Sequence, residues 1–521
     1  MNNKKPTYEK KAAVKNGVTR LIFVVFSITL EIVFLFLLIL RLGENAPWLE
    51  VVLRIAAFLL VIGIYSQDKS ASIKMPWLIL IMAFPVLGVI LYIMIGLSGS
   101  TRKMRQRYEK IDRILLPLLV QDPRINSSLE EMSPAAAGIA HYLKEQSGYP
   151  TYRNTDITYY SDASDGLEAQ LKDLALAEHF IFMEYHAIED AESFDRILNV
   201  LKDRVAAGVD VRIFYDDIGS IGFVNTDFVK RMESLGIRCR VFNPLFPLLN
   251  IFFDNRDHRK ITVIDGQVGY TGGYNIANEY FNLTHPYGHW KDTGIRLEGD
   301  AVRSLTVTFL EMWNAVRDHD IDDTDFLQYL PVSTHIASET GFVIPYADSP
   351  LDEVHVGEDV YISIAEQARH YVYYMTPYLI ITDEMNHAFG LAARRGVDVR
   401  IITPGIPDKK IIYQVTRSYY NRLVKNGVKI YEYTPGFCHA KMCVSDDLLA
   451  TCGTINLDYR SLYHHFENGC LMYDCASVID IKRDFDETFP QCTDVTEKYK
   501  TGRNAFLTFG QLILRLFAPL M

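Results

Sequence analysis

The sequence contains few cysteines, and no two of them are spaced as C-x-x-C. The seven that are present all lie between Cys239 and Cys492, and their number is odd. A disulfide framework or a zinc site needs paired or closely spaced thiols, so neither is expected. The cysteines are therefore predicted to be buried apolar side chains in a reducing compartment.

Positive charge is also scarce. The 521 residues carry a formal net charge of −11, and the isoelectric point is about 5.7. Proteins that bind nucleic acid usually present a basic patch or stripe, because the phosphate backbone is a polyanion. The composition argues against nucleic acid as substrate, and no nucleic-acid partner is predicted.

Long apolar runs are concentrated in the first hundred residues, at positions 21–40, 48–65 and 77–97. A run of about 20 apolar residues is long enough to span a bilayer and too long for the core of a signal peptide. Residues 1–100 are therefore predicted to form an N-terminal membrane region with two or three transmembrane helices.

Basic residues flank this region at both ends, from Lys4 to Arg20 before it and from Arg102 to Lys110 after it. Positive residues favour the cytoplasmic side of a membrane, so this pattern favours an even number of spans, whereas hydropathy gives three candidates. Two spans with an interfacial segment and three spans with an external N-terminus both stay open. Either arrangement predicts a multi-pass protein of the cell membrane whose large C-terminal part is cytoplasmic.

One pattern of polar residues and glycine occurs twice in the chain. Five residues recur at identical spacing: His258, Lys260, Asp265, Gly272 and Asn275 match His439, Lys441, Asp446, Gly453 and Asn456. A single His-x-Lys on a strand is most often ordinary protein surface. Two isolated strands have no structural reason to share five spaced positions, so the duplication indicates one functional site built from two copies.

The residue types in these copies suit chemistry at phosphorus. Side chains two positions apart on an extended segment share a face, so each histidine projects beside its lysine. Histidine can attack phosphorus or transfer a proton near neutral pH, and lysine and asparagine suit phosphate oxygens. Two facing copies supply enough groups for a two-step substitution at a phosphodiester. No metal and no other cofactor is predicted.

A second repeat places the two copies in similar folds. Positions 207–213, Ala-Gly-Val-Asp-Val-Arg-Ile, are answered at 395–401 by Arg-Gly-Val-Asp-Val-Arg-Ile, and each phrase follows an apolar strand and a helical stretch. Each half therefore reads as strand, helix, strand, helix, strand and then the His-Lys hairpin. The predicted fold class is α/β, with two pseudo-symmetric lobes, each built on a central mixed sheet.

These patterns divide the chain into five parts. The membrane region at 1–100 is followed by a connector at 101–150, a first lobe at 151–335 and a second lobe at 336–505. Residues 506–521 are apolar apart from Arg515 and are predicted to form a C-terminal helix. That helix could lie on a membrane or pack as part of the core, and the sequence leaves both open.

The paired motifs resemble the H-x-K-x(4)-D motifs of the phospholipase D superfamily. Flanking segments resemble those of bacterial cardiolipin synthases: Tyr215-Asp216-Asp217-Ile218-Gly219-Ser220, His289-Trp290-Lys291-Asp292, and Asn456-Leu457-Asp458-Tyr459-Arg460-Ser461. The resemblance covers roughly residues 75 to 521. It implies two phospholipase D-like lobes that share one active site.

The resemblance also implies roles for the site residues. It assigns attack on phosphorus to His258 and proton transfer to His439, and pseudo-symmetry leaves the reverse assignment open. Four residues would hold the phosphate: Lys260, Lys441, Asn275 and Asn456. Two acids would orient the histidines across the lobes: Asp292 for His439 and Glu467 for His258. Asp265 and Asp446 complete the catalytic motifs, and they are predicted to fix the turn after each motif strand.

The function implied by the resemblance is that of a cardiolipin synthase. Such an enzyme would transfer a phosphatidyl group between two molecules of phosphatidylglycerol through a phosphohistidine intermediate, giving cardiolipin and glycerol. The alternative is a phospholipase D-type hydrolase or headgroup-exchange enzyme that uses the same residues. A superfamily nuclease is a third reading, which the acidic composition disfavours. The expected partners are phospholipids and the membrane, and the oligomeric state is open.

Overall fold

The structure is a computed structural model of the chain, and it describes residues 8–45, 47–67, 70–93, 99–245, 254–317, 323–338, 340–501, 504 and 506–520. The N-terminal part is helical: α1 (Tyr8–Asn45), α2 (Pro47–Tyr65), α3 (Ala71–Ala83), α4 (Pro85–Leu91), α5 (Gly99–Leu115), α6 (Pro123–Met132) and α7 (Pro134–Ser147). Within the described residues, no helix combines the length and the apolar character needed to cross a membrane. The prediction of two or three membrane spans at 1–100 is not confirmed, and part of that region lies outside the described residues.

The first lobe follows the connector. It contains β1 (Thr155–Tyr160), α8 (Ala163–Ala175), β2 (Phe180–Tyr185), α9 (Glu192–Ala206), β3 (Asp210–Asp216), α10 (Phe228–Ser234), β4 (Arg238–Phe242), β5 (Arg256–Asp257), β6 (Lys260–Ile264), β7 (Val268–Gly272), β8 (His289–Lys291), β9 (Gly294–Gly299) and α11 (Val302–Ala315).

The second lobe and the C-terminus repeat much of this order. They contain β10 (Phe342–Asp348), α12 (Val356–Gln367), β11 (Tyr371–Met375), β12 (Leu379–Ile380), α13 (Asp383–Arg394), β13 (Asp398–Pro404), α14 (Lys410–Lys425), β14 (Lys429–Tyr433), β15 (Gly436–Cys438), β16 (Met442–Ser445), β17 (Leu449–Gly453), β18 (Leu457–Asp458), α15 (Tyr459–Tyr463), β19 (His465–Tyr473), α16 (Ala476–Thr488), β20 (Cys492–Asp494), α17 (Thr496–Lys500) and α18 (Phe509–Leu516).

The two central sheets have the same strand order. In the described part of the chain, the first sheet runs β1-β9-β7-β6-β2-β3-β4 and the second runs β10-β19-β17-β16-β11-β13-β14-β20. In the first sheet, β2 pairs in parallel with β3 and antiparallel with the motif strand β6. In the second sheet, β11 pairs in parallel with β13 and antiparallel with the motif strand β16. The predicted α/β class with central mixed sheets is confirmed.

The central strands are continuous apolar runs because they are buried in the core of the protein. Strand β2 is buried along its whole length, as expected of a strand with a pairing partner on each edge and helices on its faces. Helix α11 is buried on nearly every side and contacts α5, the first sheet and β10 of the second lobe. Phe309 of α11 stacks on Phe182 at 4.6 Å between ring centroids. One hydrophobic cluster therefore extends through both lobes, and a second lies within the first lobe apart from Phe437.

Equivalent aspartates follow each motif strand and bind the backbone that leads into the neighbouring strand. The Asp265 carboxylate accepts hydrogen bonds from three backbone N–H groups that lead into β2, at 2.7 to 2.8 Å. Asp446 does the same for the residues leading into β11, at 2.7 to 2.9 Å. Both aspartates have left-handed backbones, with φ of 52° and 53°. Each lies at the far end of its motif strand from the lysine, roughly 15 Å away for five residues of strand.

We expect D265A and D446A each to lower the free energy of unfolding by about 2–3 kcal/mol, because charge-assisted hydrogen bonds are lost and alanine is strained at positive φ. D265N and D446N should cost less, since an amide oxygen still accepts and asparagine tolerates this backbone. Urea denaturation of the full chain in detergent measures the shift. Alanine variants that unfold at the wild-type urea concentration would contradict the structural role.

Candidate active site

Each motif histidine follows a short strand that pairs with a strand of the opposite lobe. Strand β5, just before His258, pairs in parallel with β19 of the second lobe. Strand β15, just before His439, pairs in parallel with β8 of the first lobe. The N–H of His258 donates to the carbonyl of Phe466 at 2.9 Å, and the N–H of His439 donates to that of Lys291 at 2.7 Å. The backbone of each histidine is thus fixed beside the residue that precedes an acid of the other lobe. Phe466 precedes Glu467, and Lys291 precedes Asp292.

This pairing brings each histidine to a carboxylate across the lobe boundary. Nδ1 of His258 lies 2.8 Å from Oε1 of Glu467, and Nδ1 of His439 lies 2.7 Å from Oδ2 of Asp292. Both acids and both histidines are buried. The Thr454 hydroxyl donates to Glu467, and the N–H of Thr293 donates to Asp292 at 2.9 Å. Carboxylates held this way orient each ring through Nδ1.

Asp292 is buried because its neighbour Lys291 is paired elsewhere. The Lys291 ammonium donates to Asp484 of the second lobe at 2.6 and 2.8 Å. Gly273 then allows the close approach of Asp292, since a Cβ on Gly273 would lie 2.0 Å from Oδ1. Gly273 therefore makes room for the orienting acid.

The two motif lysines stand beside their histidines, as the spacing predicts. Nζ of Lys260 donates to the carbonyl of His258 at 2.6 Å. Nζ of Lys441 lies 2.9 and 3.0 Å from the two ring nitrogens of His439 and donates to that residue's carbonyl. Both lysines are buried.

The predicted phosphate-binding asparagines are close to the motifs but already have protein partners. Oδ1 of Asn275 accepts from the N–H of Ala187 at 3.0 Å, and its Nδ2 donates to the Tyr280 hydroxyl at 2.8 Å. Asn456 forms a side-chain hydrogen bond with Asp458, and its buried Oδ1 has no partner among the described residues. Their contact with phosphate stays a prediction.

Burial shifts the pKa of each motif histidine downward. Burial, and then the charge of Lys260, hold the pKa of His258 well below its usual range. Burial and Lys441 lower the pKa of His439 to about 4, against the opposing effect of Asp292. Both imidazoles are therefore neutral near pH 7 in the empty site, which is the form that attacks phosphorus or accepts a proton.

The lysines and the acids are shifted as well. Burial lowers the pKa of Lys260 to about 7 and that of Lys441 to about 8, although nearby carboxylates oppose this. Burial raises the pKa of Glu467 well above its usual range, against the effect of Lys260. Asp292 differs: burial would raise its pKa, but His439, Lys441 and the Thr293 N–H outweigh burial and lower it.

Two further histidines adjoin His258, and sequence reasoning missed them. The ring of His186 lies 5.0 Å and that of His465 lies 5.5 Å from the His258 ring, between centroids. His465 precedes Glu467 by two residues on β19, so strand alternation could have placed it on the same face. His186 follows β2 directly and carried no comparable signal.

The surroundings of His439 are aromatic instead. Tyr280, Trp290 and Phe437 lie 5.2, 5.4 and 5.8 Å from its ring, between centroids. The pseudo-twofold symmetry of the backbone is therefore broken around the reactive rings. Different surroundings for two chemically identical groups are what separate roles require.

One set of groups at the site could bind a transition metal. Ligand atoms of His258, His465 and Glu467 lie within 4.8 Å of one another. A metal held there would displace the hydrogen bond between His258 and Glu467 that orients the ring. No metal role is therefore assigned to these residues.

A buried charge network lies directly behind the first motif. Nε of Arg259 is 3.8 Å from Glu184, and its Nη2 donates to the Tyr108 hydroxyl at 3.0 Å. Glu184, which lies in β2, is fully buried. The network supports the motif strand from the side away from the histidines' acids.

The chain matches a family model described as "Cardiolipin synthase, PLD-like domain" at residues 171–313 and 361–489, which include both motifs. A second model, "Phospholipase_D-nuclease N-terminal", matches residues 52–96.

Curated relatives extend over nearly the whole chain. Cardiolipin synthase 1 of Staphylococcus aureus MRSA252 is 30% identical, with 95% of this chain and 100% of that protein covered. Cardiolipin synthase of Oceanobacillus iheyensis is 30% identical, covering 91% of this chain and 98% of that protein. An uncharacterized protein of Streptococcus mutans is 43% identical, covering 88% and 98%.

Among solved structures, phosphatidylserine synthase of Haemophilus influenzae Rd KW20 superposes with a TM-score of 0.56 at 14% identity, over 74% of this chain and 97% of that chain. At that identity the likeness shows the fold alone. The family model covers both lobes, and the relatives cover the motifs and the helical N-terminal part together. The chain therefore belongs to the cardiolipin synthase family of phospholipase D-like proteins.

Proposed function

We propose that this chain is a phosphatidyltransferase that makes cardiolipin and glycerol from two molecules of phosphatidylglycerol. The observation that carries the proposal is the pair of crosswise contacts, His258 with Glu467 at 2.8 Å and His439 with Asp292 at 2.7 Å. Neither lobe alone holds an oriented histidine. The assembled site offers one base for each side of a phosphodiester, with a lysine beside each.

In the first step, Nε2 of His258 attacks the phosphorus of the donor lipid. A phosphorus–nitrogen bond forms, and the bond from phosphorus to the glycerol headgroup oxygen breaks. His439 gives a proton to that oxygen, and free glycerol leaves. The anionic phosphodiester raises the pKa of His439 from about 4 when it binds, so the ring can carry this proton. Lys260 and Lys441 stabilise the charge on the phosphoryl oxygens.

In the second step, a second phosphatidylglycerol enters and its terminal hydroxyl faces His439. The ring takes the hydroxyl proton while the oxygen attacks phosphorus and the phosphorus–nitrogen bond breaks. Cardiolipin leaves, and His258 and His439 return to their starting states. The phosphohistidine keeps the energy of the ester bond, so the transfer uses no nucleotide.

The membrane supplies both substrates, and we propose that the helical N-terminus holds the lobes against it through two or three transmembrane helices, with the lobes in the cytoplasm. Large apolar side chains on α1 and α2 are solvent-exposed, among them Ile22, Phe23, Trp48 and Phe58. Contiguous exposed apolar surface of this kind marks contact with lipid or protein. A catalytic site next to the bilayer favours an acceptor lipid over water.

Incubating the purified enzyme with phosphatidylglycerol alone tests the proposed reaction. Cardiolipin and glycerol should form in equal amounts, and lipid mass spectrometry with a glycerol assay measures them. H258A and H439A should each lose at least about 1,000-fold in rate, because both histidines act as one unit. Phosphatidic acid as the sole lipid product would instead establish the hydrolase alternative.

The pH dependence follows from the shifted pKa values. kcat/KM should decline as the pH rises through about 7 to 8, because Lys260 and Lys441 then lose the protons that hold phosphate. It should also decline at a pH well below the usual range of histidine, where His258 becomes protonated in the free enzyme and can no longer attack phosphorus. Initial rates in mixed micelles give the profile. A flat profile between about pH 5 and 10, roughly two units either side of these values, would contradict the lysine assignment.

A further inference from the structure

A basic pocket lies on the outer surface of the second lobe, away from the catalytic histidines. It has a volume of about 460 Å³ and is lined by α13, α14 and the C-terminal helix α18. Five of its lining residues are basic or can become so: His387, Arg394, Arg422, Lys425 and Arg515. In the described part of the chain, no aspartate or glutamate lines it. The pocket is therefore suited to an anion.

The basic side chains are held in place around the opening. Arg394 donates to the side-chain oxygen of Asn426, and the Arg515 guanidinium lies over the Tyr419 ring at 4.3 Å. Arg422 forms an ion pair with Asp383, which neutralises one of the charges. Positions fixed in this way favour a defined site over diffuse surface charge.

A buried polar side chain also lines the pocket. Asn386 is buried, and its Oδ1 makes no hydrogen bond with any described residue. An unpaired buried acceptor costs stability unless a ligand donates to it. A group that carries both an anionic phosphate and a hydroxyl would satisfy the arginines and this oxygen together.

Helix α18, which contributes Arg515 to the pocket, also exposes an apolar stripe to solvent. Phe509, Leu512, Ile513 and Phe517 form a stripe along one side of α18, and Phe509 is 78% exposed. The helix is nevertheless well formed, with a capping box at Thr508 and Gln511, and it packs against α14. An amphipathic helix that exposes aromatic residues beside basic groups is typical of a helix lying in a membrane interface.

A second cavity connects α18 with the N-terminal helix α3. It is lined by Met75 and Pro76 of α3 together with Arg515 and Leu516 of α18. Met75 and Ile79 of α3 are exposed. This shared cavity places α18 and its pocket on the same side of the molecule as the proposed membrane helices, which distinguishes a lipid from a soluble phosphate ester.

From these contacts we infer that the pocket between α13, α14 and α18 binds the headgroup of an anionic phospholipid, separately from the catalytic site, while α18 lies in the membrane interface. The phosphate would contact Arg394 and Lys425, and a headgroup hydroxyl would donate to Oδ1 of Asn386. The acyl chains would cover Phe506 and Phe509. Nζ of Lys425 lies 5.2 Å from the centroid of the Phe506 ring.

The test measures lipid binding by the full chain in mild detergent. Native mass spectrometry counts the bound molecules, and the probes are phosphatidylglycerol, phosphatidylcholine and glycerol 3-phosphate. R394Q/K425Q should lose one bound phosphatidylglycerol, with that site weakened about 25-fold for two basic charges. The matched variant K172Q/K202Q removes two exposed lysines of α8 and α9 and should bind as wild type does. Phosphatidylcholine should not fill the site, and glycerol 3-phosphate should not compete.

Three results would overturn this inference: unchanged binding in R394Q/K425Q, equal loss in both double variants, or full competition by glycerol 3-phosphate, which would make the pocket a site for soluble phosphate esters. The rate of transfer is measured on the same preparations. R394Q/K425Q should retain turnover at saturating substrate, so failure of lipid binding at this pocket and failure of the proposed reaction would be observed separately.

Discussion

The active site depends on one constraint: each histidine is oriented by a carboxylate of the other lobe. His258 and Glu467 come from opposite halves of the chain, as do His439 and Asp292. The short parallel pairings of β5 with β19 and of β8 with β15 set these contacts, and the ion pair between Lys291 and Asp484 supports them. A lobe folded alone would have a motif without its orienting acid, which explains why the chain keeps both copies intact.

The two lobes have similar backbones, but different side chains surround His258 and His439. The two sheets share their strand order, and Asp265 and Asp446 bind equivalent backbone groups. Around the rings, however, His258 adjoins other histidines and His439 adjoins aromatic residues. The proposed two-step reaction would require such a difference, since attack and proton transfer need different environments.

Much of the fold was predictable because its signals are local or repeated. The paired motifs placed His258, Lys260, His439 and Lys441, and the repeated phrases before them gave the order of strands and helices. Burial of β2 followed from its continuous apolar run. The α/β class and the cardiolipin synthase family are confirmed on this basis.

Other features could not be read from the sequence because they depend on contacts between distant residues. The proximity of His186 to His258 arises only when β2 and β6 pair, and nothing in its local sequence signals a site. The role of Gly273 depends on Asp292 reaching it from a separate strand. The number of membrane spans depends on the balance of charges at both ends of the apolar region, and hydropathy alone does not settle that balance.

The most direct test of the divided site is a burst experiment with a phosphatidyl ester of p-nitrophenol, a leaving group that needs no proton from an acid. H439A should release one equivalent of nitrophenolate per enzyme and accumulate a phosphatidyl group on His258, identified by peptide mass spectrometry. H258A should give no burst. A burst in H258A with none in H439A would contradict the assignment of His258 as the nucleophile.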